Sequence, residues 1–144
     1  MDNNVNKSIL DEIHKGAKMG MDSISYVSEK VGDENFKDNL SYQYNLYGDV
    51  LDTVNDVYKK YGDIPNDNDI MAKTMAWTGI QMNTIKDKSN SHIADMLIQG
   101  TTMGIIEGRK LLNNNPNADK EIIDILNNFV KMQENNVEKL KTFL

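Results

Sequence analysis

The sequence predicts an all-α fold, an up-down antiparallel bundle of four to five helices that forms a single domain over residues 1–144. Apolar residues recur at spacings of three and four through most of the chain, which is the period of an amphipathic helix. No stretch of useful length alternates apolar and polar residues as a strand does. With 39% hydrophobic and 26% charged residues, the chain is long enough to bury one core.

Turn-forming patches divide this helical pattern. Two of them hold the only prolines, Pro65 and Pro116, and each marks one helix end followed by one helix start. A third patch contains Gly32, which suits the position after a helix, and Asp33, which suits an N-cap. These breaks predict a first helix over about residues 4–31, a second over about 34–61 and a last helix over about 118–143.

Residues 67–112 contain no proline, but a wholly polar stretch over residues 86–91 separates two apolar patterns within them. We predict a tight turn near residues 88–91, with Ser89 or Ser91 as the N-cap of the helix that follows. The turn would divide the segment into a third and a fourth helix and give five in all. The alternative is one bent helix about 70 Å long, at 1.5 Å per residue.

The first, second and last predicted helices each carry one apolar stripe that should face the core. On the first helix the stripe comprises Val5, Ile9, Ile13, Gly16, Gly20, Ile24, Val27 and Val31. On the second it comprises Phe36, Leu40, Tyr44, Tyr47, Leu51, Val54, Tyr58 and Tyr61. On the last it comprises Ile122, Leu126, Phe129, Gln133, Val137, Leu140 and Leu144. Tyr44 and Tyr47 should therefore lie in the core, and the alternative is an exposed aromatic platform that they form with Tyr42.

Composition excludes several classes of protein. The chain has no cysteine, which excludes disulfides and thiol catalysis. Its formal net charge is −6 and Arg109 is its only arginine, which argues against binding to nucleic acid. No apolar run reaches the roughly 18 residues of a membrane span, and the N-terminus lacks the features of a signal peptide. We therefore expect a soluble cytoplasmic protein with neither a nucleic-acid nor a membrane partner.

Glycines at four-residue spacing are the most distinctive motif. Gly100, Gly104 and Gly108 form one ladder, and Gly16 and Gly20 form a shorter one. Each helical glycine costs about 1 kcal/mol relative to alanine, so the repetition suggests close helix packing between the first and fourth predicted helices. The alternative is a glycine-lined groove that accepts a partner chain or an apolar ligand.

Glu107 falls on the same stripe as the glycine ladder and should face inward. If Gly16 faces Gly104 in an antiparallel pair, Glu107 comes near His14, and a buried contact between them follows as a hypothesis. The alternative places Glu107 at the helix edge, paired with Lys110 or Arg109.

Both histidines have an aspartate three residues away, in the pairs Asp11–His14 and His92–Asp95. Residues three apart share a helix face, so these pairs and Glu107 are the candidate ligands for a metal ion. The Glu-x-x-His motif of di-iron bundles does not occur in the sequence. We predict no catalytic residue and no cofactor, with a metal ion as the one alternative.

The run WTGIQMNTIKDKSNSHIADMLIQGTTMG, residues 77–104, resembles a family of short, uncharacterised proteins from clostridia and related Firmicutes. The resemblance extends to Gly-Met-Asp-Ser-Ile at residues 20–24 and Asn-Ala-Asp-Lys at residues 117–120, and so covers most of the chain. It implies a bundle similar to ferritin-like folds and to bundle proteins associated with spore coats. It carries no activity and no functional residue over to this chain.

Three functions fit these patterns. The first is a non-enzymatic structural or interaction protein that binds a second copy of itself or another protein through the glycine-laddered face. The second is an atypical metal-binding bundle. The third is a carrier or sensor of a small molecule, with a pocket lined by Trp77, methionines and tyrosines.

Overall fold

The structure is a computed structural model that describes residues 3–62 and 87–144. These residues form four helices and no strand, which confirms the predicted all-α class. None of the four helices combines the length and the apolar content needed to cross a membrane. The third predicted helix, with Pro65 and Trp77, lies outside the described residues. The helices are α1 (Asn3–Ser28), α2 (Glu34–Tyr58), α3 (Asn90–Asn114) and α4 (Lys120–Lys141).

Side-chain caps begin two helices at the predicted positions. Asp33 Oδ1 accepts a hydrogen bond from the backbone N–H of Phe36 at 2.9 Å and caps α2. Ser89 Oγ accepts one from the N–H of His92 at 3.2 Å and caps α3. Each cap satisfies an N–H group that the first turn of a helix leaves without an intrahelical partner. Since residues 87–89 are not helical, the alternative of one helix through this point is wrong.

The C-terminal ends of α1 and α2 differ from the predictions by three residues each. Gly32 does not take the left-handed conformation that was expected after α1. Among the described residues only Gly62 has a positive φ, of +138°, and its N–H donates to the carbonyl of Tyr58 at 3.0 Å. Glycine is therefore required after α2, where a side chain would strain the backbone.

α1 and α2 form an antiparallel pair. Gly20, in the second half of α1, lies against the ring of Tyr47 in the middle of α2. Asp11, in the first half of α1, accepts a hydrogen bond from the hydroxyl of Tyr58, the last residue of α2. The end of α2 therefore lies beside the first half of α1.

α3 and α4 form a second antiparallel pair. Gly104 lies against Gln133, and Gly108, one turn further along α3, lies against Val130, one turn earlier in α4. The glycines let the two helices approach closely, because no side chain stands between their backbones at these points.

The two pairs are joined so that α1 and α4 run parallel. Asn6 contacts Asp119 at the start of α4, and Gly16 contacts Phe129 ten residues later in both helices. The four helices therefore run up, down, down and up, and α2 and α3 are parallel.

Buried side chains of all four helices form one core. Two predicted core positions are wrong, since Tyr44 is 37% exposed and Leu144 is 59% exposed. Gln43 is buried in place of Tyr44, and its amide donates to Asn39 Oδ1 at 2.7 Å. The largest fully buried side chains are those of Ile9, Leu10, Ile13, Phe36, Leu40, Tyr58, Ile93, Ile122, Leu126 and Leu140.

Polar side chains tie three helices together at one end of the bundle. The hydroxyl of Tyr61, just after α2, donates to Asp119 Oδ2 at 2.7 Å. The N–H of Asp119 donates to Oδ1 of the fully buried Asn6 at 2.9 Å. Asp119 lies at the N-cap position of α4, but its carboxylate makes no capping hydrogen bond. It accepts the hydrogen bond from the Tyr61 hydroxyl instead.

Candidate binding cleft

A cleft of about 320 Å³ lies between the four helices. α1 and α3 form its walls, and buried side chains of α2 and α4 form its floor. Four predicted ladder glycines, Gly16, Gly20, Gly100 and Gly104, border it, and we call it the glycine-lined cleft. Its other lining residues are Glu12, Lys15, Met19, Ser23, Ile24, Gln43, Tyr47, Leu97, Thr101, Met103, Glu107 and Gln133.

The glycines of α1 make room for aromatic rings of the core. A Cβ atom at Gly20 would stand 2.6 Å from Tyr47 Cζ, and one at Gly16 would stand 3.2 Å from the ring of Phe129. The two rings meet edge to face, with centroids 6.2 Å apart and an interplanar angle of 70°. α1 therefore uses its glycines to pack on α2 and α4.

The glycines of α3 make room for side chains of α4. The amide nitrogen of Gln133 occupies the space that a Cβ at Gly104 would need, and Val130 Cγ2 lies 2.5 Å from a Cβ placed at Gly108. The nearest neighbours of both ladders thus belong to α2 and α4. At the cleft, α1 and α3 face each other across the open space.

Polar side chains meet on the floor of the cleft. The side chains of Gln133, Asn136 and Thr101 lie close to the hydroxyl of the buried Tyr47. Burial raises the pKa of Tyr47 above its ordinary value, and interactions with these three side chains offset part of that rise. The hydroxyl is therefore protonated at neutral pH.

Gln133 contributes an acceptor to this polar floor. Its side chain is 3% exposed, and its Oε1 atom has no hydrogen-bond partner among the described residues. A buried acceptor without a partner costs about 1–3 kcal/mol, so its retention calls for a structural or functional reason. The sequence pattern placed Gln133 on the core face of the last helix but assigned it no function.

Charged side chains surround one mouth of the cleft. Lys15 Nζ lies 3.5 Å from Glu12 Oε2 across one turn of α1. Glu107, on the opposite wall, is 69% exposed and its Oε1 lies 3.6 Å from Lys110 Nζ. Each of the two carboxylates is thus paired with a lysine of its own helix, and these four groups carry no net charge.

The predicted buried contact between Glu107 and His14 is wrong. His14 is buried in the core, where its ring meets that of Tyr58 edge to face at 6.0 Å, whereas Glu107 stands in solvent. The predicted alternative, Glu107 at the helix edge beside Lys110, is the arrangement in the structure. The glycine-lined cleft separates the two walls and leaves Glu107 at its open mouth.

The other candidate metal ligands have different partners. Asp11 Oδ1 accepts a hydrogen bond from the Tyr58 hydroxyl at 2.6 Å, and Asp11 Oδ2 accepts one from the ammonium group of Lys7 at 3.0 Å. Asp95 is exposed and accepts a hydrogen bond from Gln99, while His92 lies in the first turn of α3. Residues 3–62 and 87–144 contain no group of three or more acidic or histidine side chains that could hold a metal ion.

No family model matches this chain, and neither a curated protein nor a solved structure matches it. The cleft is the feature of the described residues that bears on function. Its walls are largely apolar, its floor carries polar side chains, and two lysine–glutamate ion pairs border one mouth. Concave, largely apolar surfaces with a few polar groups are typical of small-molecule sites in proteins.

Sequence patterns missed several residues of this site. Ser23 and Thr101 flank the glycine ladders and line the cleft, and Gln43 joins the floor. Polar residues that fall next to small residues on an apolar stripe were the available signal. That signal alone does not separate a cleft from a closely packed interface, because both require small side chains at the same spacing.

Proposed function

We propose that this protein is a non-enzymatic binding protein whose glycine-lined cleft holds one small, largely apolar molecule. The observation that carries the proposal is the cleft itself, with a volume of about 320 Å³ among helices that are otherwise packed into one core. That volume falls at the lower end of the range for small-molecule sites in proteins, about 300–1,000 Å³.

The walls supply the driving force for binding in this proposal. Leu97, Ile24, Met19 and Met103 present apolar surface to the cleft. Covering such surface with a ligand contributes roughly 25 cal/mol for each Å² removed from water. Methionine side chains adapt to varied shapes, which suits a site that takes a flexible ligand.

A pair of matched substitutions on α1 tests the proposal. Ser23 lines the cleft, whereas Ser25, two residues later, is exposed and does not. Ser23→Leu should fill part of the cleft and weaken the binding of 1-octanol, measured by calorimetry, by roughly tenfold. Ser25→Leu is the control and should bind as the wild type does. The absence of saturable octanol binding by the wild-type protein would overturn the proposal, as would unchanged binding by Ser23→Leu.

Self-association through α3 is a second candidate function. Met103 and Ile106 are 60% and 48% exposed and lie three residues apart, so they share one face of the helix. Exposed apolar side chains that adjoin one another are typical of interaction surfaces. The wild-type protein should then have the mass of a dimer or larger at micromolar concentration, and Met103→Ser with Ile106→Ser should reduce it to a monomer. A monomeric wild-type mass would refute this candidate.

We also propose a cytoplasmic location, a ferritin-like arrangement and membership of the clostridial family, with its link to spore coats. Support for the ferritin-like arrangement is the parallel course of α2 and α3, since ferritin-like bundles have one long crossover connection. Support for the family is the resemblance over residues 77–104.

A further inference from the structure

We propose that the ligand of the glycine-lined cleft is an uncharged alcohol, with an apolar chain and one hydroxyl group that lies on the floor of the cleft. This inference rests on the proposed function, that the cleft binds a small, largely apolar molecule. It adds a chemical class and an orientation, with the hydroxyl beside Tyr47 and the chain extending toward the mouth near Glu12.

The charged side chains of the cleft give no preference for an ion. Among the described residues that line it, only Glu12, Lys15 and Glu107 carry a formal charge. Glu12 is paired with Lys15 at 3.5 Å and Glu107 with Lys110 at 3.6 Å, so each carboxylate already has a partner. An ionised ligand head inside the cleft would lose its water and gain no unpaired charge of opposite sign, which is costly. An uncharged head avoids this cost.

Uncharged polar side chains line the inner part of the cleft, and most of them are almost fully buried. Gln43, Tyr47 and Gln133 are 2%, 3% and 3% exposed, and Ser23 is 9% exposed. Thr101 also lines the cleft and lies close to the Tyr47 hydroxyl. Buried polar groups are costly unless hydrogen bonds compensate them, so a site for a pure hydrocarbon would not need this set. The set indicates a ligand that carries a polar group of its own.

The polar floor lies away from the mouth that the ion pairs border. Tyr47 packs against Gly20 of α1, and Glu12 lies about 12 Å further along the axis of that helix, at 1.5 Å per residue. The apolar side chain of Met19 lines the cleft between these two levels, whereas Ser23 lies one turn beyond Gly20 on the side away from Glu12. A ligand with its hydroxyl at Tyr47 therefore has apolar surface beside the rest of its chain.

A hydroxyl group matches the chemistry of this floor. The hydroxyls of Ser23, Tyr47 and Thr101 each carry one donor hydrogen and also accept. Burial raises the pKa of Tyr47, which keeps its donor hydrogen in place at neutral pH. An alcohol likewise donates one hydrogen bond and accepts others, so it satisfies a donor and an acceptor of the floor at once.

Four probes with eight carbon atoms test the inference on the full-length protein. They are 1-octanol, 2-octanone, octylammonium and octanoate, each titrated by calorimetry at pH 7. We expect 1-octanol to bind most tightly and 2-octanone, which accepts but does not donate, to bind about threefold more weakly. Both ions should bind at least roughly tenfold more weakly than 1-octanol, because their heads would have to leave water. Heads that stayed in water at the mouth would give similar affinities for all four probes.

A tyrosine substitution assigns the preference to the floor. Tyr47→Phe keeps the ring beside Gly20 and removes the hydroxyl, and it should weaken 1-octanol binding by roughly threefold to tenfold. Tyr44→Phe is the control, because Tyr44 is 37% exposed, belongs to the same helix and does not line the cleft. It should bind 1-octanol as the wild type does. Thermal melting shows whether each variant is folded.

A serine substitution keeps the test decisive if Tyr47→Phe does not fold. Ser23→Ala removes a second hydroxyl from the cleft at a position inside α1, where alanine is favourable. It should weaken 1-octanol binding by about twofold to threefold, and Ser25→Ala, at an exposed position outside the cleft, should leave it unchanged.

The outcomes separate this inference from the proposed function. If either ion or 2-octanone binds as tightly as 1-octanol, the assignment of an alcohol is wrong while the binding function stands. If folded Tyr47→Phe, or Ser23→Ala in its place, binds 1-octanol as tightly as its control does, the hydroxyl of the ligand does not lie on this floor. If none of the four probes binds, the proposed function itself fails.

Discussion

The ring of Tyr47 on α2 occupies the space beside Gly20 on α1, with its Cζ atom 2.6 Å from the position that a Cβ at residue 20 would take. The ring is buried and packs edge to face on Phe129, so a shift away from residue 20 would disturb this aromatic pair. The absence of a side chain at position 20 thus allows three helices to meet around one aromatic pair.

Gly20→Ala should destabilise the protein by about 1–2 kcal/mol. Alanine gains about 1 kcal/mol in helix propensity, but forcing a methyl group against a fixed ring costs about 1–3 kcal/mol, and here the rigid ring favours the upper part of that range. The free energy of unfolding from urea titration measures the difference.

The same helix pair supplies a control for this substitution. Gly48 lies within α2, and the nearest atom to a Cβ placed there is Met21 Cε at 3.9 Å, an ordinary contact distance. Gly48→Ala should therefore stabilise the protein by about 0.5–1 kcal/mol. If both alanine variants gain stability, the close approach of Tyr47 to Gly20 is not a constraint on the fold.

Tyr58→Phe should cost about 1.5–3 kcal/mol of unfolding free energy, the range for a hydrogen bond to a charged group. The Tyr58 hydroxyl donates to Asp11 Oδ1 at 2.6 Å, and the ring itself is fully buried and would stay in place. Burial and the hydrogen bond to Asp11 both raise the pKa of Tyr58, which agrees with a protonated donor. Tyr26→Phe, at an exposed tyrosine of α1, should change stability by less than about 0.5 kcal/mol. Equal values for the two variants would contradict the prediction.

The helices and their starts were predictable from the sequence because they depend on local chemistry. Asp33 and Ser89 were identified as caps, since a short acceptor before an apolar period satisfies its own helix regardless of tertiary contacts. Tyr44 was placed in the core wrongly. The helical period leaves residues 43 and 44 both near the edge of the stripe, and the bond from Gln43 to Asn39 allows the polar residue to be buried.

The cleft was harder to predict because it depends on distances between helices. The glycine spacing indicated small side chains on α1 and α3, yet it did not identify Tyr47, Phe129 and Gln133 as the groups that fill the space. Glu107 was expected inside because its stripe faces inward. Periodicity gives the direction in which a side chain points from its helix axis, but it does not give the distance between that helix and the one opposite.

Thr101→Val should destabilise the protein by about 0.5–1.5 kcal/mol, because it removes the polar group that Thr101 places beside the buried Tyr47 hydroxyl. Valine keeps the β-branched shape, so packing is conserved while the polar contact is removed. Thr102→Val changes the neighbouring exposed residue, which is outside the cleft, and should alter stability by less than about 0.5 kcal/mol. Urea titration of the two variants side by side makes the comparison. A loss at Thr102 as large as that at Thr101 would mean that valine, rather than the missing hydroxyl, is responsible.

The bond from Tyr61 to Asp119 should make stability depend on pH in the alkaline range. The hydrogen bond to the Asp119 carboxylate raises the pKa of Tyr61 from its ordinary value of about 10 to about 12. Because the folded pKa is the higher one, the contribution is fully present below pH 10 and is lost as the pH rises through 12. Tyr61→Phe lacks this bond at every pH. Wild type should therefore melt at a higher temperature than Tyr61→Phe at pH 8, and the gap should narrow between pH 10 and 12. A gap that stays constant over that range would show that the Tyr61 hydroxyl does not stabilise the end of the bundle through Asp119.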